Sequence, residues 1–225
     1  LYNININFFS FIAQTKIKGK DGTVINTKSG TYNLGTGEAV FTDGASFKDS
    51  TRSGSAKEIA YDKKNNTLQM RGNAKLVDSV NKVLVLAGEI YSDLNQNSFL
   101  ASRKPVMILH RDGDSTYIAA DTLFSGLRKY DSLERKMVTQ KDTLKTALVV
   151  QANDKDSSIR YFIGFHNVRI FNDSLQAVSD SLHYSTIDST FKLLCEPVVW
   201  NDKSQVTGDT LLMYTQNQKP KRLYV

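Results

Sequence analysis

Asp180, Ser181 and His183 bring together the three residue types of a nucleophilic triad within four positions. In a strand, Ser181 and His183 share one face and Asp180 points to the other, and no G-x-S-x-G elbow exposes the serine. His110, His166 and His183 are too far apart in sequence to show metal-ligand spacing. Gly35-Thr36-Gly37 is a lone G-x-G inside a turn signal with no helix after it, so it is not read as a dinucleotide loop. Cys195 is the sole cysteine, which excludes an internal disulfide or a zinc cluster. It has the parity of Phe191 and Leu193 and is expected to be a buried structural thiol. A glycan-processing enzyme would need two carboxylates converging on one groove. The acids here recur at equivalent positions along the chain, which suits turns better than one active site. No catalytic residue, metal or cofactor is expected.

The chain has 225 residues and a formal net charge of +6, which favours an acidic partner such as anionic lipid or phosphorylated glycan, or serves solubility alone. The basic residues form no run, and no nucleic-acid partner is expected. Phe8 to Ala13 resembles the end of a leader's apolar region, so residues 1–13 are expected to be the remnant of a signal peptide; the alternative is a short amphipathic first strand. No run of eighteen apolar residues is present.

The elements that position these residues come from an internal repeat. Aromatics at Tyr32, Tyr61, Tyr91, Phe124, Tyr184 and Tyr214 are separated by 29, 30, 33, 60 and 30 residues. After each of the first five comes a turn-former and an apolar-x-apolar stretch: Gly44 before Ala45-Ser46-Phe47, Asn73 before Ala74-Lys75-Leu76, Pro105 before Val106-Met107-Ile108, Asn167 before Val168-Arg169-Ile170, and Pro197 before Val198-Val199-Trp200. The turn-former marks a bend or break in a strand. The one long interval places an insertion at about residues 126–156, rich in Lys, Arg, Asp and Ser. The distance from acid to aromatic varies from three at Glu58–Tyr61 to five at Asp209–Tyr214. A one-residue slip swaps faces, so facing is least determined around Tyr91 and Phe124.

Alternation between these markers predicts an all-β chain of two to three short strands per unit. One unit cannot bury its apolar face alone; stacked units share a core, as in solenoids and elongated jelly rolls. Two facing sheets would enclose an apolar slot. Its expected lining is Phe47, Leu68, Met70, Leu76, Ile108, Phe162, Val168, Ile170, Leu182, Tyr184, Phe191, Leu193, Val198 and Trp200. Open along one side, such a slot suits an acyl chain; closed, it is only a core. The last unit has no second element, and a truncated C-terminal end is expected.

Gly164-Phe165-His166-Asn167-Val168-Arg169-Ile170-Phe171, followed by Leu175-Gln176-Ala177 and Asp180-Ser181-Leu182-His183-Tyr184, carries a family resemblance. Pro197-Val198-Val199-Trp200, Thr207-Gly208-Asp209-Thr210-Leu211, Ala120-Asp121-Thr122-Leu123 and Arg71-Gly72-Asn73-Ala74 fit the same pattern. The chain resembles the OstA-like proteins of Bacteroidetes, relatives of the periplasmic bridge protein and the outer-membrane translocon N-domain of lipopolysaccharide transport. The likeness spans about Gly30 to Val225 and is more specific from Gly88 onward. It implies a twisted, elongated β-jelly roll (an open β-sandwich, solenoid-like) over residues 14–225. It further implies a periplasmic or outer-membrane-associated location and no enzymatic activity. The partners would be lipopolysaccharide, through the acyl chains of lipid A, and other transport components stacked end to end by their sheets. Self-oligomers would use the same edges. Basic rim residues Lys48, Arg71, Lys75 and Arg169 would meet lipid phosphates. The alternative is a structural or adhesive repeat scaffold with a solid core. Ten Asp-(Ser/Thr)-(aliphatic or Thr) tripeptides resemble the O-glycosylation signal of periplasmic proteins of that phylum; most also read as turn acids before strands. Modification is expected only at Ser132 or Thr143.

Overall fold

In Thr67–Asp78 the buried residues alternate as Leu68 and Met70, then as Ala74 and Leu76. The alternation is interrupted at Gly72 and Asn73, both left-handed with φ of 76° and 50°. Opposite them the partner strand has a single residue, Gly88, so two residues face one. This bulge bends the strand and moves its second half into another sheet. The same left-handed pair recurs at Asp43-Gly44, Arg103-Lys104, His166-Asn167 and Cys195-Glu196. The computed structural model describes residues 2–3, 7–111, 114–129, 158–187, 189–201, 204–216 and 219–225.

All strand pairings among these residues are antiparallel, and each runs on to the next neighbour in a long meander. One sheet runs through Tyr2–Asn3, Phe8–Phe11, Ser29–Asn33, Glu38–Thr42, Glu58–Asp62, the first half of Thr67–Asp78, the second half of Val83–Asp93, Ser98–Ser102 and Thr122–Lys129. It continues through the first half of Ser158–Phe171, the second half of Gln176–Ser185, Thr190–Leu194, Thr210–Gln216 and Lys219–Tyr224. The other runs through Thr15–Lys18, Val24–Thr27, Ala45–Lys48, Arg52–Ala56, the remaining halves of Thr67–Asp78 and Val83–Asp93, Val106–Arg111 and Asp114–Ala119. It ends with the remaining halves of Ser158–Phe171 and Gln176–Ser185, then Val198–Asn201 and Ser204–Thr207. The 30-residue period is thus one outward and one return strand, each crossing both sheets. This is the all-β jelly roll that the sequence predicts.

The bends line up because backbone bonds tie them together. Lys57, Gly88, Asp121 and Asp180 donate their N–H to the carbonyls of Gly72, Arg103, His166 and Cys195, at 2.9, 3.0, 2.9 and 3.5 Å. Each acceptor is the first residue of a left-handed pair. Outside the same line, an ion-pair ladder joins Glu58 to Arg71 (3.0 Å), Arg71 to Glu89 (3.3 Å) and Glu89 to Arg103 (3.4 Å).

This geometry corrects the expected alignment of the repeat. The residue after each pair is buried: Ala45, Ala74, Pro105, Val168 and Pro197. Pro105 and Pro197 are therefore the first inward positions, not equivalents of Gly44, Asn73 and Asn167. Facing shifts by one residue in those two units. Ile108 and Trp200, expected to line the slot, lie on the outer face, as does Val198; Met107 and Val199 take the inward positions. Ile108 is still only 9% exposed, covered by outer-face neighbours Leu84 and Tyr117 in register with it. Cys195 is exposed rather than buried, because its φ of 63° places it in the bulge and breaks its parity with Leu193.

Phe8–Phe11 pairs with Ser29–Asn33, and the ring of Phe11 lies 6.0 Å from that of Phe41. Gly126–Lys129, the start of the expected insertion, continues a strand and pairs with Ser158–Tyr161. The rest of the insertion, with Ser132 and Thr143, lies outside the described residues.

Candidate functional site: a slot between the sheets

Facing rows of inward side chains fill the space between the two sheets. Nearest the bend, Met70, Ile90, Ala101, Leu182, Leu193 and Leu211 are all 0% exposed, so this part of the interior is closed core. The row one step further out in the same sheet reads Leu68, Ser92, Phe99, Ser125, Phe162, Tyr184, Phe191 and Met213 across the strands. It faces Phe47, Gly54, Leu76, Val85, Met107, Ile118 and Ile170 of the other sheet, which are likewise in register. At Gly54 the absent side chain makes room for the Phe47 ring and the Met70 methyl, with which an added Cβ would collide. At Ser92 and Ser125 small side chains stand where neighbouring strands carry Leu68, Phe99 and Phe162.

Beside those serines the interior opens into a cavity of about 390 Å³. Its apolar wall is Leu76, Val83, Val85, Phe99, Met107, Leu109, Phe162 and Tyr184. Toward the strand ends away from the bend it is rimmed by Thr51, Arg52, Asp78, Asn81, Asn97, Ser98, His110, Arg160 and Thr186. The turns at this mouth are held by side-chain caps. Asp49 Oδ1 accepts N–H bonds from Thr51 and Arg52 (2.8 and 2.6 Å), and Asp78 Oδ1 from Val80 and Asn81 (3.0 and 2.9 Å). Two of the ten Asp-(Ser/Thr) tripeptides thus serve as turn caps. Beyond the cavity, the rings of Phe162, Tyr184 and Phe191 pack on one another at 4.5 to 5.8 Å.

Of the expected lining residues, Leu76, Phe162 and Tyr184 border the cavity. Phe47, Leu68, Met70, Val168, Ile170, Leu182, Phe191 and Leu193 point inward but belong to the packed core. The sequence reading missed Val83, Val85, Phe99, Met107, Leu109, Arg52 and Arg160. A signal for the last existed: Arg160 has the parity of Phe162, two residues on. Arg71, Lys75 and Arg169, expected at the rim, lie beside the bend instead, within two residues of a left-handed pair.

Arg160 Nη1 donates to Ser125 Oγ at 3.4 Å. Burial pushes the Arg160 guanidinium below its ordinary value, Asp78 opposes that shift and Arg52 adds to it. The triad that strand facing argues against is not assembled by Asp180, Ser181 and His183. Asp180 accepts from His166 Nδ1 (2.9 Å) and from Ser181 Oγ (2.8 Å), whereas His183 stacks on Tyr161.

A bent, antiparallel two-sheet roll with a closed spine and an apolar cavity beside its inner rows defines an all-β jelly-roll module. Residues 13–97 match the family model described as LptA/(LptD N-terminal domain) LPS transport protein. Over that stretch, less than half of the chain, the sequence is similar to the lipopolysaccharide-transport domains that this model describes. The match falls on the first units rather than on the stretch after Gly88 that carries the more specific sequence resemblance; bend pair and register are the same in both parts. No curated protein matches the chain.

Proposed function

We propose that the protein takes part in lipopolysaccharide transport by holding lipid A acyl chains between its two sheets. The observation that carries this reading is the apolar cavity at the open side, formed where Ser92 and Ser125 thin the inner row. Each methylene moved there from water gains about 0.8 kcal/mol without fixing the chain in one register, so a lipid can be shielded and still slide. The phosphorylated sugars stay at the mouth. The outermost strands of the second sheet, Thr15–Lys18 at one end and Ser204–Thr207 at the other, each have one strand partner among the described residues. Their free edges suit end-to-end stacking with other transport components or with a second copy. The setting is the periplasm.

The test places a photo-crosslinking amino acid at Phe99, Leu109 or Tyr184, in cells making lipopolysaccharide, with outward Ile108 and Trp200 as controls. Lipopolysaccharide adducts at the first set alone are expected. Folded protein without adducts at any of the three would overturn the reading and leave the scaffold with a solid core.

A further inference from the structure

Arg52 and Arg160 are 108 positions apart in sequence and come from opposite sheets, yet both line the mouth of the same cavity. Each has inward parity: Arg52 is two residues from Gly54, and Arg160 is two from Phe162. Burial is the main cause that lowers the Arg160 guanidinium, the charge of Asp78 opposes it and that of Arg52 adds to it, and two guanidinium groups at one apolar-walled mouth favour an anion there. The two carboxylates nearby are largely taken up by their own turns. Asp49 and Asp78 each accept N–H bonds from their own turns, and Asp78 Oδ2 also accepts from Asn81 Nδ2 at 2.7 Å. Arg52 Nε makes one long ion pair, 3.8 Å to Asp49 Oδ2, and no carboxylate among the described residues lies within ion-pair distance of Arg160. An arginine offers five N–H donors in a planar fork suited to phosphate.

We infer that Arg52 and Arg160 form a clamp for a phosphate-type anion on a molecule whose acyl chains lie against Leu76, Val85, Met107 and Phe162. This rests on the lipid-holding reading above and adds to it a polar stop in an otherwise slippery slot. An amphiphile with a phosphate at the junction of its head and tails would satisfy both halves of the cavity at once. Free phosphate would satisfy only the clamp.

The test measures binding of lipid A with its phosphates, the same lipid dephosphorylated, and inorganic phosphate, to the wild-type chain and to Arg160→Gln, Arg52→Gln and Arg160→Lys. Phosphorylated lipid is expected to bind wild type about tenfold more tightly than dephosphorylated lipid, the scale of a charge-assisted hydrogen-bonded pair. Either glutamine variant should remove that preference and leave dephosphorylated lipid unchanged; Arg160→Lys should retain part of it. Arg71→Gln, in the ladder at the bend, should change neither. Equal binding of both lipids by wild type, or a preference that survives both glutamine variants, overturns the clamp and leaves the lipid-holding reading intact. Tight binding of inorganic phosphate alone identifies an anion site unrelated to lipid and overturns the proposal as stated. If neither lipid binds wild type, the proposed function itself fails.

Discussion

The bend and the mouth of this molecule are built from the same strands and differ in almost every other respect. At the bend, left-handed pairs recur in each of the five units where the second element is present, backbone bonds link one turn of the meander to the next, and the innermost side chains have no exposure. At the mouth, the turns vary in length and capping residue, serines interrupt the apolar row, and arginines enter from both sides. The bend must be regular because one misplaced bulge reverses the facing of everything beyond it. The mouth is under no such constraint and is free to carry chemistry.

Truncation should separate the two regions most clearly. Leu182→Ala, in the closed row, is expected to cost about 3 kcal/mol of stability by leaving a cavity that cannot collapse. Leu109→Ala borders space that already exists and should cost roughly half as much or less. Urea unfolding of the two variants measures this; equal losses would mean that the mouth is packed as tightly as the spine. The bend's backbone gives the next effect. Asn73 has φ of 50°, so Asn73→Ala should lose about 1 kcal/mol while Asn73→Gly stays near wild type. Loss in both variants would assign the cost to the side chain instead.

The smallest effect is a pH dependence at the spine. His166 is raised above its ordinary 6.5 by its hydrogen bond to Asp180 and then by that residue's charge. Asp180 is lowered below 3.8 by the hydrogen bonds from His166 and Ser181. The raised histidine stabilises the fold fully below pH 6.5 and loses this as pH rises through its folded value. The lowered aspartate stabilises above pH 3.8 and loses this as pH falls through its folded value. The deficit of Asp180→Asn in thermal unfolding should therefore be greatest between pH 3.8 and 6.5 and shrink above that window. A deficit that does not change with pH would show that the pair acts through its hydrogen bond alone.

The all-β class, the 30-residue period and the inward facing of Phe47, Leu76 and Ile170 were legible in the sequence, because alternation and turn chemistry are local. Asn73 and Asn167 announce their bends, as asparagine tolerates left-handed backbone. Arg103-Lys104 and Cys195-Glu196 adopt the same conformation with no such signal, and the proline after each carries a turn signal one residue too late. That single slip turned Ile108, Val198 and Trp200 to the wrong face and hid the exposure of Cys195.

The sequence by itself determined which residues alternate and how often the pattern returns, since both follow from the two-residue period of a strand. Only the tertiary structure decided where the strands bend, which inward side chains meet packed core and which meet empty space, and that Arg52 and Arg160 line one cavity. Those depend on volumes and charges brought together from strands distant in the chain, which no local spacing encodes.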